Sequence, residues 1–420
     1  MNKLKEVSLI KSNFLSFGIL KIFDYIFPIL LLPLLVRSLG TSEYGYYVIA
    51  GSSILIARLI IAFGFDLTAT KEIALNSDNV KKINKIFWEI SLIKLIFFII
   101  SFFVLLLVLC IFFTIGGDLA NYWWLFLVLF ISLLGDEVLY STWFYMGMQK
   151  AKILSLFKIT QRCTLLIGVF LMSKSDNVLF KVVFLESVLA IFFGLLSFFS
   201  LLNIFSLKIM RVRFKDCIFH IKQGYHVFLS NSSVYMYSSF NILVVGGVLG
   251  AKIAGIYAIC ERVYMAMRAL FEPFTQAVYP YLNRLYKKNK AEYLFFSRKI
   301  LKYYFLLLLL LTLLAYFFRE YIIYFVMGEF SQEADAVLLL FLFALPLALG
   351  GMLSKYLVVS GRSNLLFRVT FISMLMNMIL LFPFLSTLGV EGAVFTFIIV
   401  QTIQLLMQFY YYIRDFHVDN

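Results

Sequence analysis

Apolar runs of about 20 residues alternate with short polar segments along the whole chain, and none shows the residue-by-residue alternation of a half-buried strand. A run of that length predicts a helix that satisfies its own backbone in hydrocarbon. Twelve are predicted, at roughly 13–36, 44–66, 87–114, 123–147, 153–172, 178–205, 225–249, 253–279, 300–318, 336–358, 366–386 and 392–413. The second contains "SSILIARLII" (52–61), in which Arg58 has no Asp or Glu within seven residues on either side. Such an arginine needs a reason, because an isolated charge at mid-membrane costs at least about 2.5–3.5 kcal/mol on insertion scales.

The polar segments set the orientation. With the amino terminus inside, the cytoplasmic segments hold 23 lysines and arginines, whereas the outer loops hold four: Arg37, Lys174, Lys252 and Arg319. Both termini are therefore predicted to be cytoplasmic. The first helix is expected to remain as an uncleaved anchor, since "MNKLKEVSLIKSN" leads into a stretch long enough to span with no small-residue cleavage site after it.

Composition agrees with this reading. The chain is 62% hydrophobic and 14% charged, against about 45–50% and about 25% in ordinary globular chains. It is an integral membrane protein, all-α in class. The net charge of +14 follows from basic segments facing an anionic inner leaflet, so no nucleic-acid partner is implied. Four scattered cysteines (Cys110, Cys163, Cys217 and Cys260) make neither a disulfide framework nor a metal spacing. Three histidines without a pairing pattern argue against a metal enzyme. No Walker sequence, Gly-rich dinucleotide turn or nucleophile elbow is present, so no cofactor, metal or catalytic residue is expected.

The chain also repeats itself. "LGTSEYGYYVIAGSSILIARLI" (39–60) aligns without gaps on "LGAKIAGIYAICERVYMAMRAL" (249–270), matching Gly40, Gly45, Tyr47 and Arg58 with Gly250, Gly255, Tyr257 and Arg268. At the same offset "LFKIT" (156–160) meets "LFRVT" (366–370). The chain thus divides into two six-helix lobes, 1–210 and 211–420. An even number of spans per lobe leaves both in one orientation, as in parallel-repeat transporters. Arg58 and Arg268 are expected to occupy matching depths and to face each other between the lobes.

Charges near span ends, such as Lys181, Lys302 and Lys355, read as snorkelling side chains, and Lys94 lies about two turns in. Deeper charges normally face a bundle interior or a wet cavity. These are Lys21 and Asp24 on the first helix, Arg58 on the second, Asp136 and Glu137 on the fourth, Arg162 on the fifth, Glu186 on the sixth, and Glu261, Arg262, Arg268 and Glu272 on the eighth. Lys21 and Asp24, three apart, share a helix face. Glu261, Met265, Arg268 and Glu272 follow helical spacing along one stripe. Any one of them can be an internal ion pair that fixes packing, but a compact apolar bundle does not need the whole set. The set is close to electroneutral. Pro28, Pro33, Pro273 and Pro346 are positioned to kink their helices. Trp123, Trp124 and Trp143 read as interfacial anchors.

"LLPLLVRSLGTSEYG" (31–45), "GFDLTATKEIA" (64–74), "STWFYMGMQK" (141–150) and "ERVYMAMRALFEPFTQAVYPYL" (261–282) resemble the Wzx-type O-antigen flippases, polysaccharide exporters of the multidrug/oligosaccharidyl-lipid/polysaccharide superfamily. The resemblance runs from the first helix to the twelfth. It departs at Met146, where the family pattern usually has Gln. It implies two six-helix lobes around a cavity, and movement of an undecaprenyl-pyrophosphate-linked glycan from the cytoplasmic to the periplasmic leaflet of the bacterial inner membrane by alternating access. Membrane lipids, and the polymerase and chain-length regulator of the same pathway, are the implied partners. Arg58 and Arg268, with Lys21, Arg162 and Arg262, would meet the substrate, and arginine offers planar bidentate donors to a phosphate. Asp24, Asp136, Glu261 and Glu272 would balance charge or carry coupling protons. Two alternatives stay open: a cation-coupled drug or toxin exporter of the same superfamily, and a membrane polymerase acting on the same lipid-linked sugar. The short outer segment 319–335, without histidine, offers little room for the polymerase's chemistry.

Overall fold

Long apolar runs without strand-like alternation give a fold in which all the regular structure among the described residues is helical. The computed structural model describes residues 2–115 and 118–417. At 2–22, 24, 25, 111–115, 118, 119, 214, 226, 230, 231, 233–238, 291, 363 and 415–417 it describes the backbone alone. The helices are α1 (Asn2–Ala62), α2 (Phe65–Leu75), α3 (Val80–Ile115), α4 (Trp123–Leu133), α5 (Thr142–Gly147), α6 (Ala151–Met172), α7 (Val178–Ile204) and α8 (Phe214–Leu249). There follow α9 (Ala251–Ala269), α10 (Glu272–Lys288), α11 (Lys290–Phe317), α12 (Arg319–Met327), α13 (Gln332–Ala344), α14 (Leu349–Val359) and α15 (Ser363–His417). A π-helical turn, Leu134–Leu139, links α4 to α5.

Among the described residues, eight helical stretches are long and apolar enough to cross a membrane. Two of them, of 50 and 51 residues, are far longer than the roughly 30 Å hydrocarbon core at about 1.5 Å per residue. Each is broken at a glycine in a non-helical conformation, α1 at Gly40 (φ 72°, ψ 170°) and α15 at Gly389 (φ 64°, ψ −145°). These breaks fall where the sequence separates its first two and last two spans. Large apolar side chains such as Phe103, Leu107, Phe199, Phe317, Ile379 and Phe382 are exposed along α3, α7, α11 and α15, a surface that suits lipid.

The chain forms two compact units, the first of residues 1–39 and 49–235, the second of 40–48 and 236–420. The division falls within α8, downstream of the boundary read from the sequence at 210/211. Within the second unit the repeat is visible in the backbone. Gly250, the counterpart of Gly40, has almost the same conformation (φ 87°, ψ 170°). The repeated glycines Gly45 and Gly255 permit a backbone approach there: a Cβ on Gly45 would overlap the Ala251 carbonyl, and one on Gly255 the Thr41 carbonyl. That contact groups 40–48 with the second unit.

In the first unit, Trp143, Phe144 and Tyr145 of α5 pack with Phe65 and Ile73 of α2 and with Phe87 and Ile90 of α3 in one buried core. Trp143 is 1% exposed, so it is a core residue and not an interfacial anchor. Its backbone carbonyl accepts from Thr70 Oγ1 at 3.1 Å, and Tyr145 Oη donates to the Ser197 carbonyl at 3.0 Å. Trp123, by contrast, is 43% exposed.

Candidate functional site

Residues of α1, α2, α6, α7 and the π turn of the first unit line a cavity of about 520 Å³. Its lining is unusually polar for a membrane-embedded bundle: Arg58 from α1, Asp66 from α2, Asp136 and Glu137 from the π turn, Lys158, Gln161 and Arg162 from α6, and Glu186 from α7. Phe27, Tyr140, Leu165 and Leu189 complete the apolar part of the wall. The volume falls within the range of about 300–1,000 Å³ typical of small-molecule sites.

Arg58 is paired across the chain rather than along it. Its Nη2 lies 3.4 Å from Asp136 Oδ2 and its Nε 3.0 Å from Glu137 Oε1. The π turn makes this possible, because more residues per turn bring two consecutive side chains closer to one face of the helix. Gly135 fixes the turn in place, since a Cβ there would overlap the Ala190 carbonyl of α7. Each carboxylate has a second partner. Gln161 Nε2 donates to Asp136 Oδ1 at 3.2 Å. Lys94 Nζ lies 3.6 Å from Glu137 Oε2 and donates to the Glu137 carbonyl at 3.0 Å. Lys94 is only 2% exposed, whereas the Arg58 side chain is 41% exposed. Around the wall, Lys158 Nζ lies 5.4 Å from the centre of the Tyr140 ring and Arg162 Cζ 5.2 Å from that of Phe27, within cation–π range.

The remaining candidates lie elsewhere. Arg262, Arg268, Glu261 and Glu272 belong to the second unit. There Arg262 lies over the Tyr44 ring at 5.8 Å, Glu261 is 5% exposed, and Glu272 lies 4.0 Å from Lys355. The expected stripe through Glu261, Arg268 and Glu272 is interrupted: α9 ends at Ala269 and α10 starts at Glu272, with Pro273 in its first turn. Proline disfavours the α conformation in the residue before it and lacks the N–H that would continue the ladder. The side chains of Lys21 and Asp24 lie outside the described residues.

Sequence reasoning named Arg58, Asp136, Glu137, Arg162 and Glu186 and missed Asp66, Lys94, Lys158, Gln161 and Tyr140 as part of this site. Asp66 is the last residue of the span expected at 44–66 and stands two residues past the Phe63-Gly64 break between α1 and α2, where a charge reads as the end of a span. No group of three or more His, Cys, Asp or Glu among the described residues is placed to hold a metal ion.

A family profile described as polysaccharide biosynthesis protein matches residues 10–286, well over half of the chain. The chain belongs to the polysaccharide biosynthesis protein family. Two relatives carry the name "Putative O-antigen transporter". The protein from Escherichia coli K12 is 24% identical over 70% of this chain and 69% of its own length. That from Shigella dysenteriae is 22% identical over 94% and 98%. Among solved structures, a lipid II flippase MurJ in an inward closed conformation superposes with a TM-score of 0.72 at 18% identity, covering 94% of this chain and 86% of that one. An inward-facing multidrug resistance MATE family transporter of the MOP superfamily gives 0.70 at 15%, covering 92% and 97%. This family member therefore has an all-α membrane transporter fold, and the resemblance read from its motifs holds at the level of the family. Its "STWFYMG" stretch serves as the packing core behind the cavity wall.

Proposed function

We propose that this chain is a flippase that moves an isoprenoid-pyrophosphate-linked oligosaccharide, of the O-antigen or capsule type, across the bacterial inner membrane by alternating access. Its role is transport rather than catalysis, with both termini in the cytoplasm. The observation that carries this reading is the partly exposed side chain of Arg58 in a polar cavity of a chain of the polysaccharide biosynthesis family. Sugars and pyrophosphate cannot cross hydrocarbon unaided, whereas the isoprenoid tail can remain in it. A guanidinium in a wet cavity is suited to a phosphate, which it meets with parallel N–H donors. Arg58 in the first unit and its repeat partner Arg268 in the second are assigned to the pyrophosphate. Lys158, Gln161, Arg162 and the aromatic faces of Tyr140 and Phe27 are assigned to sugar rings. The names of the two O-antigen transporter relatives and of the MurJ structure support the substrate class.

The test is to delete the gene and add a glycosidase to spheroplasts from outside. Lipid-linked repeat units should become shielded from the enzyme. The intact gene should restore exposure, and an Arg58→Gln, Arg268→Gln double variant at equal abundance should not. Units that stay exposed after deletion would remove this reading. One observation favours a second reading, export of organic cations: Asp66, Asp136, Glu137 and Glu186 outnumber Arg58, Lys158 and Arg162 in the cavity wall. In that case deletion should sensitise cells to cationic dyes and leave the surface glycan intact.

A further inference from the structure

The two carboxylates beside Arg58 present a problem for an anion site. Asp136 and Glu137 already lie against the guanidinium at Nη2 and Nε, and Nη2 is a donor a phosphate would take. We infer that these carboxylates are an exchangeable counter-ion pair: they hold Arg58 while the cavity is empty, yield it to the phosphate of the cargo, and take it back when the cargo leaves. This rests on the flippase reading above and assigns Asp136 and Glu137 to the control of uptake and release.

Three features support exchange over a permanent structural bridge. The first is access. The Arg58 side chain is 41% exposed and Asp136 28%, so an incoming anion reaches the Asp136 side of the guanidinium without first opening the fold, while Nε on the Glu137 side is buried. The second is geometry. The Arg58–Asp136 separation of 3.4 Å is long beside the roughly 2.7–2.9 Å of a strong charge-assisted bond. A long, part-exposed pair contributes little, so Asp136 yields first, before Glu137 at 3.0 Å. The third is that neither carboxylate is orphaned when Arg58 turns away. Asp136 keeps Gln161 on its other oxygen, and Glu137 keeps Lys94, which also holds the Glu137 carbonyl and is itself buried. Stranding a buried charge is what normally makes an internal ion pair costly to break. Here the second partners remove most of that cost, so the swap requires only side-chain rotation about a fixed π turn.

Release is the step that benefits. A site that only attracts pyrophosphate would hold it, and tight binding of the bound state slows the return of the empty transporter. Carboxylates that compete for the same guanidinium weaken the bound state and accelerate departure. They act on the cargo through Arg58 and are positioning residues for it.

The experiment measures binding of farnesyl pyrophosphate, and separately of inorganic pyrophosphate, to the purified full-length protein by calorimetry. The variants are Asp136→Asn, which keeps the Gln161 bond, and Glu137→Gln, with Arg58→Gln as the reference for loss of the site. Removal of one competitor from a part-exposed pair should tighten farnesyl pyrophosphate binding by about two- to fivefold. Transport by the same variants in cells should fall, a combination that a merely structural role would not produce. Binding that is unchanged or weaker in both folded carboxylate variants, while Arg58→Gln abolishes it, overturns the exchange and leaves the flippase reading standing. Absence of any binding by the wild type, or binding indifferent to Arg58→Gln, overturns the exchange together with the assignment of Arg58 to phosphate. Inorganic pyrophosphate showing the same pattern would identify the phosphates as the competing group, and a pattern confined to the farnesyl compound would place the competition on a lipid-linked anion; both support exchange.

Discussion

Lys94 is the residue on which the cavity wall depends most directly for its charge balance. It is 2% exposed and meets Glu137 at 3.6 Å, so removing its charge leaves Glu137 with Arg58 alone. Lys94→Met should therefore lower the thermal midpoint of the purified protein, through a loss of about 1–3 kcal/mol. The double variant Lys94→Met, Glu137→Gln should recover most of that loss, because replacing both members of a buried pair is far cheaper than removing one. No recovery in the double variant would mean that Lys94 stabilises by packing its stem rather than by its charge. Arg58 was legible in the sequence because it stands alone in an apolar run. Lys94 was not, because nearness to a span end also fits a snorkelling lysine, and only the position of Glu137 on a distant helix separates the two. Trp143 shows the same limit: interfacial and core tryptophans occur at similar distances from span ends, and the neighbours Phe87 and Ile73 are remote in sequence.

At the scale of elements, most spans could be read from apolar length, whereas the backbone breaks at Gly40 and Gly389, the π turn and the break at 270–271 could not. Hydropathy reports which residues prefer lipid and is silent on local winding. The start of α8 is similarly held by side chains distant in sequence. His220 is buried between two carboxylates, with Nε2 2.8 Å from Glu89 and Nδ1 3.1 Å from Glu72. Lys85 links Glu89 at 3.4 Å to Asp216 of α8 at 2.8 Å. Cys217 lies beside them and is also buried. Burial alone would lower the pKa of His220, but the hydrogen bonds and charges of Glu72 and Glu89 outweigh it and raise the pKa above its ordinary 6.5. Asp216 is held below the usual carboxylate range by its bond to Lys85. A raised histidine pKa contributes stability in full below about 6.5, and that contribution is lost as pH rises through the folded-state value. Amide exchange over 214–225, corrected for its intrinsic pH dependence, should therefore quicken as the pH is raised from about 6.5 through the folded-state pKa of His220. His220→Gln should abolish that dependence and exchange quickly at both ends of the range. Protection in the wild type that stays constant over the range would mean the imidazole does not change charge there.

At the scale of the molecule, the repeat explains why sequence halves and structural units do not coincide. The two copies of "LG…G.Y" start with glycines in matching backbone conformations, Gly40 and Gly250, and the glycines five residues on, Gly45 and Gly255, let residues 40–48 approach α9 with no room for a side chain. A segment from the first half of the chain thus completes the second unit. The matched residues located the duplication, Gly45 and Gly255 among them, but not this exchange, because a matched glycine does not say which backbone it lies against. The consequence can be tested by dividing the chain in the non-helical stretch before α8, at 210/211. Residues 211–420 produced alone lack the 40–48 segment, leave the face around Gly255 uncovered, and should be degraded in the membrane. Residues 1–210 produced with them supply the segment, so both fragments should accumulate together and restore surface glycan to the deletion strain. Stable accumulation of 211–420 alone would show that the glycine contact contributes little and that each half of the sequence is a folding unit in itself.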